Sequence, residues 1–321
     1  QGITIVIPVK TKENIAFIED FKKKEIKDIK ILVIVGDNPS KNRNKGIDKA
    51  ETELVAFVNS HSLLSNNWKE KVLEFFDNHP EIDAVGGPQL TPIDSDFFAR
   101  VSDYAFSSKF GVGGVSKRYK KAELELDADE TMLTSANLIC RKRVFEKVKF
   151  DEGIYPGEDP KFISELKEKG YNIAYCPEII VYNKKREGAL SLIKQIYYYG
   201  LVRPRKESLL KTLKKPFFLV PSIFLLYLII LVPLMFFISS NLIRLILLSP
   251  IFVYLALNLI FSLYHTLKFK DITASFLLPF IYPIIHLSYG SGFLFSTLEN
   301  IFKKRKNIQK EMSIWLKKKF Y

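Results

Sequence analysis

Three runs of uncharged, lipid-length sequence dominate the last third of this chain and decide what it can fold into. Phe217 to Ile238, Leu245 to Tyr264 and Ile272 to Leu298 contain no Asp, Glu, Lys or Arg. Each is near or above the roughly 20 residues that a helix needs to cross a bilayer core. A helix of that length in a soluble protein keeps a polar face toward water, and these runs have none. The expected membrane region is 216–300, with spans near 217–238, 245–264 and 272–298. The last run holds Pro279, Pro283, His286, Gly290 and Gly292, so a broken, re-entrant segment competes with a full third span. Length favours three full spans.

The residues before it have a different texture. Ile3 to Pro8 is a short apolar run closed by proline and reads as a buried strand. Ile31 to Val35, Leu54 to Val58 and Ala84-Val85 read likewise. Helical patterns over Ile15 to Lys24, Lys41 to Glu53 and Asn66 to Phe76 alternate with them. Such alternation implies right-handed βαβ units and a mostly parallel sheet, so residues 1–188 are expected to form one α/β domain. Further on, Ala136 to Cys140, Ile173 to Tyr175 and Ile179 to Tyr182 are strand-like and Lys142 to Val148 is helical. Pro92 to Glu130 stays unassigned, apart from a mobile loop expected at Phe106 to Tyr119 with its three glycines. Residues 189–215 read as an amphipathic basic interfacial segment and 301–321 as a basic tail.

Charge and cysteines narrow the function classes. The formal net charge is +13, but much of the excess flanks the apolar runs, from Arg203 to Lys215 and from Lys303 onward. Juxtamembrane cations suit anionic lipid headgroups; no nucleic-acid motif competes. The opening residues lack a secretory pattern, so the α/β domain is expected in the cytoplasm, on a multi-pass cell-membrane protein. Cys140 and Cys176 have no metal-ligand spacing and read as small buried hydrophobes.

In open α/β sheets, ligands bind beyond the carboxyl ends of strands, which points to Pro8 to Glu13, Gly36 to Ser40 and Asn59-Ser60-His61. No Walker A or Gly-x-Gly-x-x-Gly turn is present. The order of motifs resembles the family 2 glycosyltransferases, inverting enzymes of the GT-A (nucleotide-diphospho-sugar transferase) fold. The resemblance rests on Ile3 to Pro8, Arg43-Asn44-Lys45-Gly46-Ile47, Val55 to Val58 entering Asn59-Ser60-His61, Trp68, Thr134-Ser135-Ala136-Asn137, Gly157-Glu158-Asp159 and Gly170-Tyr171.

That resemblance implies a membrane-bound hexosyl transfer. The donor would be a UDP- or GDP-linked sugar, and the acceptor a polyprenyl phosphate, glycolipid or cell-surface glycan. Asp159 maps to the family's general base, with Glu158 beside it; helix capping ahead of Pro160 is the bland account of Asp159. Pro8, Glu13, Asp37, Arg43, Asn44, Asn59 and Asn137 map to substrate contacts, and Gln195 with Arg203 to the place of a Gln-x-x-Arg-Trp motif. The bland account of Arg43 and Asn44 is a solvated helix face. The family's metal-binding Asp-x-Asp is here Asn59-Ser60-His61. Either His61 ligates Mn²⁺ or Mg²⁺, or the metal is weak or absent and basic residues offset the leaving group's charge. Two other readings stay open: a processive polysaccharide synthase, and a degenerate transferase acting as a membrane scaffold.

Overall fold

The computed structural model describes residues 2–11, 29–183, 188–207 and 209–320, with side chains of the last segment described to Phe302. Glu13 and the helix expected at Ile15 to Lys24 lie outside these residues. The chain divides into two units: residues 1–188 with 262–281, and residues 189–261 with 282–321.

In the first unit, six strands form a mixed sheet in the order β2-β1-β3-β7-β5-β8. They are β1 (Ile3–Val9), β2 (Ile29–Val35), β3 (Leu54–Val58), β5 (Ala84–Gly86), β7 (Asn137–Arg141) and β8 (Ile173–Tyr175). Three of the five pairings are parallel; β7 runs antiparallel to both β3 and β5. Alternate residues of one strand enter opposite cores. Ile3, Ile5 and Ile7 pack with Trp68, Val72 and Phe76 on one face, while Val6, Val55 and Phe57 meet Phe145, Phe150 and Phe162 on the other. Burial on both faces is why these strands read as unbroken apolar runs. Cys140 and Cys176 are buried thiols within these layers.

Four differences from the sequence reading have local causes. Pro8 lies inside β1, paired with Ile34, instead of closing it. A second sheet, ordered β4-β9-β6, joins Ser62–Leu64, Val181–Asn183 and Gln89–Leu90, strands too short to show periodicity. In the stretch left unassigned, Phe97–Phe106 is a helix whose N-cap Asp96 accepts from the Ala99 amide at 2.9 Å. The expected mobile loop is instead a short helix, Lys109–Val112, followed by a 3₁₀ segment, Gly113–Tyr119. Its glycine at 113 has φ 60° and ends the short helix, a conformation that favours glycine.

Number the helices α1 (Pro39–Lys49), α2 (Trp68–Asn78), α3 (Phe97–Phe106), α4 (Lys109–Val112) and α5 (Glu158–Glu168). Helix α1 lies close on β1 because Gly46 has no side chain. A Cβ there would approach Val6 to well under 3.0 Å.

The second unit is built on α6 (Ala189–Lys206), α7 (Leu209–Thr212), α8 (Val220–Phe237), most of α9 (Asn241–Phe269) and the later part of α10 (Ala274–Phe320). Among the described residues three helices are long and apolar enough to cross a membrane: Pro216–Phe237, Asn241–Phe269 and Ala274–Phe302. The second begins before the expected Leu245. Ser240 caps it, and Arg244 Nε folds back onto the Ile238 carbonyl at 2.8 Å.

Helix α10 is continuous through Pro279 and Pro283, as the favoured reading of an unbroken third segment requires, and the competing broken segment is not found. Its glycines serve contact rather than breakage. A Cβ at Gly292 would strike the Tyr197 carbonyl, one at Gly200 the Tyr289 carbonyl, and one at Gly290 the Pro221 carbonyl. Small residues let membrane helices approach this closely.

Replacing Gly46 with valine is expected to cost about 1–3 kcal/mol through overpacking against Val6. A thermal melt of the full chain in detergent, read by circular dichroism, should show a lower midpoint, with Lys45→Val as an unaffected control.

Candidate active site

The carboxyl edge of the large sheet collects the loops that matter. Strand β1 ends beside β2 at Val9–Val35, and β3 ends at Val58 opposite Asn137. The turns Gly36–Asn38, Asn59–His61 and Thr134–Ala136 therefore open along one edge, where ligands of α/β sheets bind. Asn42, which the sequence reading passed over, fastens part of that edge. Its Nδ2 donates to the Gly36 carbonyl at 2.8 Å and the Val9 carbonyl at 3.3 Å. The available signal was an asparagine inside a helix, where its side chain usually competes with the backbone.

Helix α1 also carries Arg43 and Asn44 inward. Both are buried, so the solvated-face account fails. Asn44 holds the Phe150 backbone from both sides, accepting from its N–H at 3.0 Å and donating to its carbonyl at 2.9 Å. The same amide reaches Glu152 Oε1 at 3.0 Å. Arg43 lies over the Phe150 ring, 5.2 Å from its centroid, and donates to Glu158 Oε1 at 3.0 Å. Its Nη1 is 3.5 Å from Asp159 Oδ1.

The two carboxylates differ. Glu158 is 8% exposed, and Gly157 N–H donates to its second oxygen at 3.1 Å. It is neither an exposed loop carboxylate nor open to an acceptor. Burial, and then the charge of Asp159, push its pKa up from the ordinary 4.5 despite Arg43. Asp159 is 23% exposed and its Oδ1 accepts from Ser135 Oγ at 2.6 Å. Its Oδ2 has no protein partner among the described residues. The capping account of Asp159 also fails. The helix starts one residue earlier, at Glu158, because Gly157 at φ 118° turns the chain into it as N-cap. Asp159 thus sits in the first turn of α5.

Other expected residues fall elsewhere. Asn137 is buried, accepting from Trp68 Nε1 at 3.2 Å and donating to the Ile179 carbonyl at 2.7 Å. Asp37 and His61 are exposed at the carboxyl edge, with Asn59 half-buried beside them. Gln195 and Arg203 belong to the second unit. Gln195 Nε2 donates to Tyr199 OH at 2.8 Å, and the buried Arg203 stacks on Phe218 and pairs with Glu207 at 3.1 Å. In that unit a cavity of about 500 Å³ opens between Ile193, Lys194, Tyr197, Tyr198, Leu287 and Ser291.

No group of three His, Cys, Asp or Glu side chains comes together among the described residues. The turn after β3 offers an amide, a hydroxyl and one imidazole, and the turn after β2 the carboxylate of Asp37; a cation held largely by a diphosphate needs only one or two protein carboxylates.

Residues 10–149 match the model of Glycosyl transferase family 2. Over 178 residues the chain is 27% identical to the minor teichoic acid biosynthesis protein GgaB of Bacillus subtilis, covering 54% of this chain and 16% of that protein. Over 148 residues it is 28% identical to the O-antigen chain rhamnosyltransferase RfbN of Salmonella typhimurium, covering 45% of each. The chain thus spans less than half the length of these curated relatives. Residues 1–349 of S. aureus TarS superpose on 63% of this chain and 65% of that one, with 12% identity and a TM-score of 0.43.

A carboxyl whose pKa is raised on folding favours the folded state most when protonated. Its contribution is present below about pH 4.5 and is lost as pH rises through the raised folded value. Glu158→Gln should therefore flatten the fall in melting temperature with rising pH and change neutral-pH stability little. Arg43→Met should cost about 3 kcal/mol at neutral pH, since it strands the buried carboxylate of Glu158 beside that of Asp159, and less at pH 4.5. Melts across pH 4–8 check both.

Proposed function

We propose that the chain is an inverting transferase moving a hexose from a UDP- or GDP-sugar to a lipid-linked acceptor, a reading supported by the match of residues 10–149 to the model of Glycosyl transferase family 2. The observation that carries this reading is Asp159, a partly exposed carboxylate with one oxygen held by Ser135 and the other open. Its relatives GgaB and RfbN bear names from teichoic acid and O-antigen synthesis. That supports a surface glycan as product. Three helices of membrane length support a multi-pass membrane location, with the α/β domain on the cytoplasmic side, where nucleotide sugars are made.

In the proposed reaction Asp159 Oδ2 accepts the acceptor hydroxyl's proton as that oxygen attacks the anomeric carbon. The bond from that carbon to the diphosphate oxygen breaks, and the nucleoside diphosphate departs with its electron pair. Ser135 fixes the carboxylate's rotation, and Arg43 lies beside the same oxygen and helps aim it. Glu158 acts through Arg43, as a positioning residue. The turns bearing Asp37, Asn59 and His61 receive the nucleotide end of the donor.

The test uses purified full chain in vesicles containing a glycolipid whose sugar carries free hydroxyls, with UDP- and GDP-hexoses supplied in turn. Nucleoside diphosphate release should fall at least 10²-fold in Asp159→Asn and roughly tenfold in Ser135→Ala, with donor affinity retained in both. Undiminished release by Asp159→Asn would sink the assignment. Failure to bind any nucleotide sugar would leave the scaffold reading, and a polymeric product would replace single transfer with processive synthesis.

A further inference from the structure

The turn between the second and third membrane-length helices belongs to the same compact unit as the α/β domain, and its chemistry explains why. Helix α9 ends with Lys270 in the left-handed region at φ 53°, the sole such non-glycine among the described residues. The Asp271 N–H returns to the Thr266 carbonyl at 3.1 Å. Strain of this kind persists where surrounding contacts demand it. Here those contacts converge on the next residue.

Both carboxylate oxygens of Asp271 are engaged, by different elements. Oδ1 accepts from Thr273 Oγ1 at 2.5 Å, within the turn. Oδ2 accepts from Arg100 Nε at 3.0 Å and from Tyr104 OH at 3.1 Å, both on α3 of the domain. Beside them the Tyr104 and Phe269 rings stack, with centroids 4.1 Å apart and planes 8° from parallel. Arg100 and Tyr104 are one helical turn apart, so a single face of α3 presents a cation, a hydroxyl and a ring to this turn. The Asp271 side chain is only 14% exposed, against 40% for Arg100, and the second donor and the stacked ring add to what a half-exposed ion pair alone supplies.

We propose that Asp271 and Phe269 form a docking point that fastens the membrane hairpin to α3. The turn they occupy then lies on the same side of the bilayer as the α/β domain. The inference rests on the reading of the three helices as membrane spans, and not on the transferase chemistry. It carries a topological consequence. Helices α8 and α9 must both cross, and α10 must leave toward the opposite face.

Two measurements on the full chain in sealed vesicles test it, and neither depends on turnover. Single cysteines at Asn67, Ser239 and Lys270 are labelled with an impermeant maleimide, with the buried Cys140 and Cys176 as background. Lys270→Cys should label from the same side as Asn67→Cys, and Ser239→Cys from the other. Labelling of Lys270→Cys together with Ser239→Cys overturns the proposal. Amide exchange over residues 97–106 should rise roughly tenfold in Asp271→Arg and in Arg100→Asp, about the effect of losing one charge-assisted bond. It should return toward wild type when the two are combined. Unchanged exchange in the singles, or no recovery in the double, also overturns it. Asp271→Asn keeps the side chain's shape and should move exchange the same way by less, should the reversed charges fail to fold.

Discussion

Arg43 is the constraint on which the candidate site depends. Two carboxylates next to each other in sequence, one of them buried, repel unless a cation stands between them and the sheet. Arg43 supplies it, from a helix 115 residues away, while Asn44 beside it pins the backbone at Phe150. The guanidinium's flat fork suits this task better than an ammonium would, and the Phe150 ring beneath it excludes water. The glycine at 46 then matters indirectly. Without close approach of α1 to β1, the guanidinium would not reach Glu158.

This arrangement also shows where a sequence can and cannot be read. The central strands were legible because burial on both faces writes itself as continuous Val, Ile, Leu and Phe, and Leu54–Val58 was bounded as observed. Asp159 and the turns at the sheet edge were placed by motif order. What stayed hidden was partnership. Nothing local in Arg43-Asn44 distinguishes a side chain pointing at a nucleotide from one pointing at Glu158, and the same pattern serves both. Two-residue and three-residue strands leave no period to detect. Glycines misled twice, at 113 and at 290–292, because the residue that loosens a loop also ends a helix or admits a neighbour's backbone.

The membrane-length helices are not equivalent. Half of the most apolar window of the third is buried, against 17% and 11% in the first two. Tyr254 OH meets His286 Nδ1 at 2.9 Å, and Ser296 Oγ donates to the Leu201 carbonyl at 3.0 Å. Polar contacts of this sort join helices where apolar solvent offers no drive to associate. The third helix is thus the most enclosed of the three, and the first two expose most of their apolar surface.

The link between α8 and α9 is short. Only Ile238, Ser239 and Ser240 separate the two helices, and the polar residues about it are Ser239, Ser240, Asn241 and Arg244. A guanidinium is costly to move through hydrocarbon, but this one has the Ile238 carbonyl as a partner within its own turn.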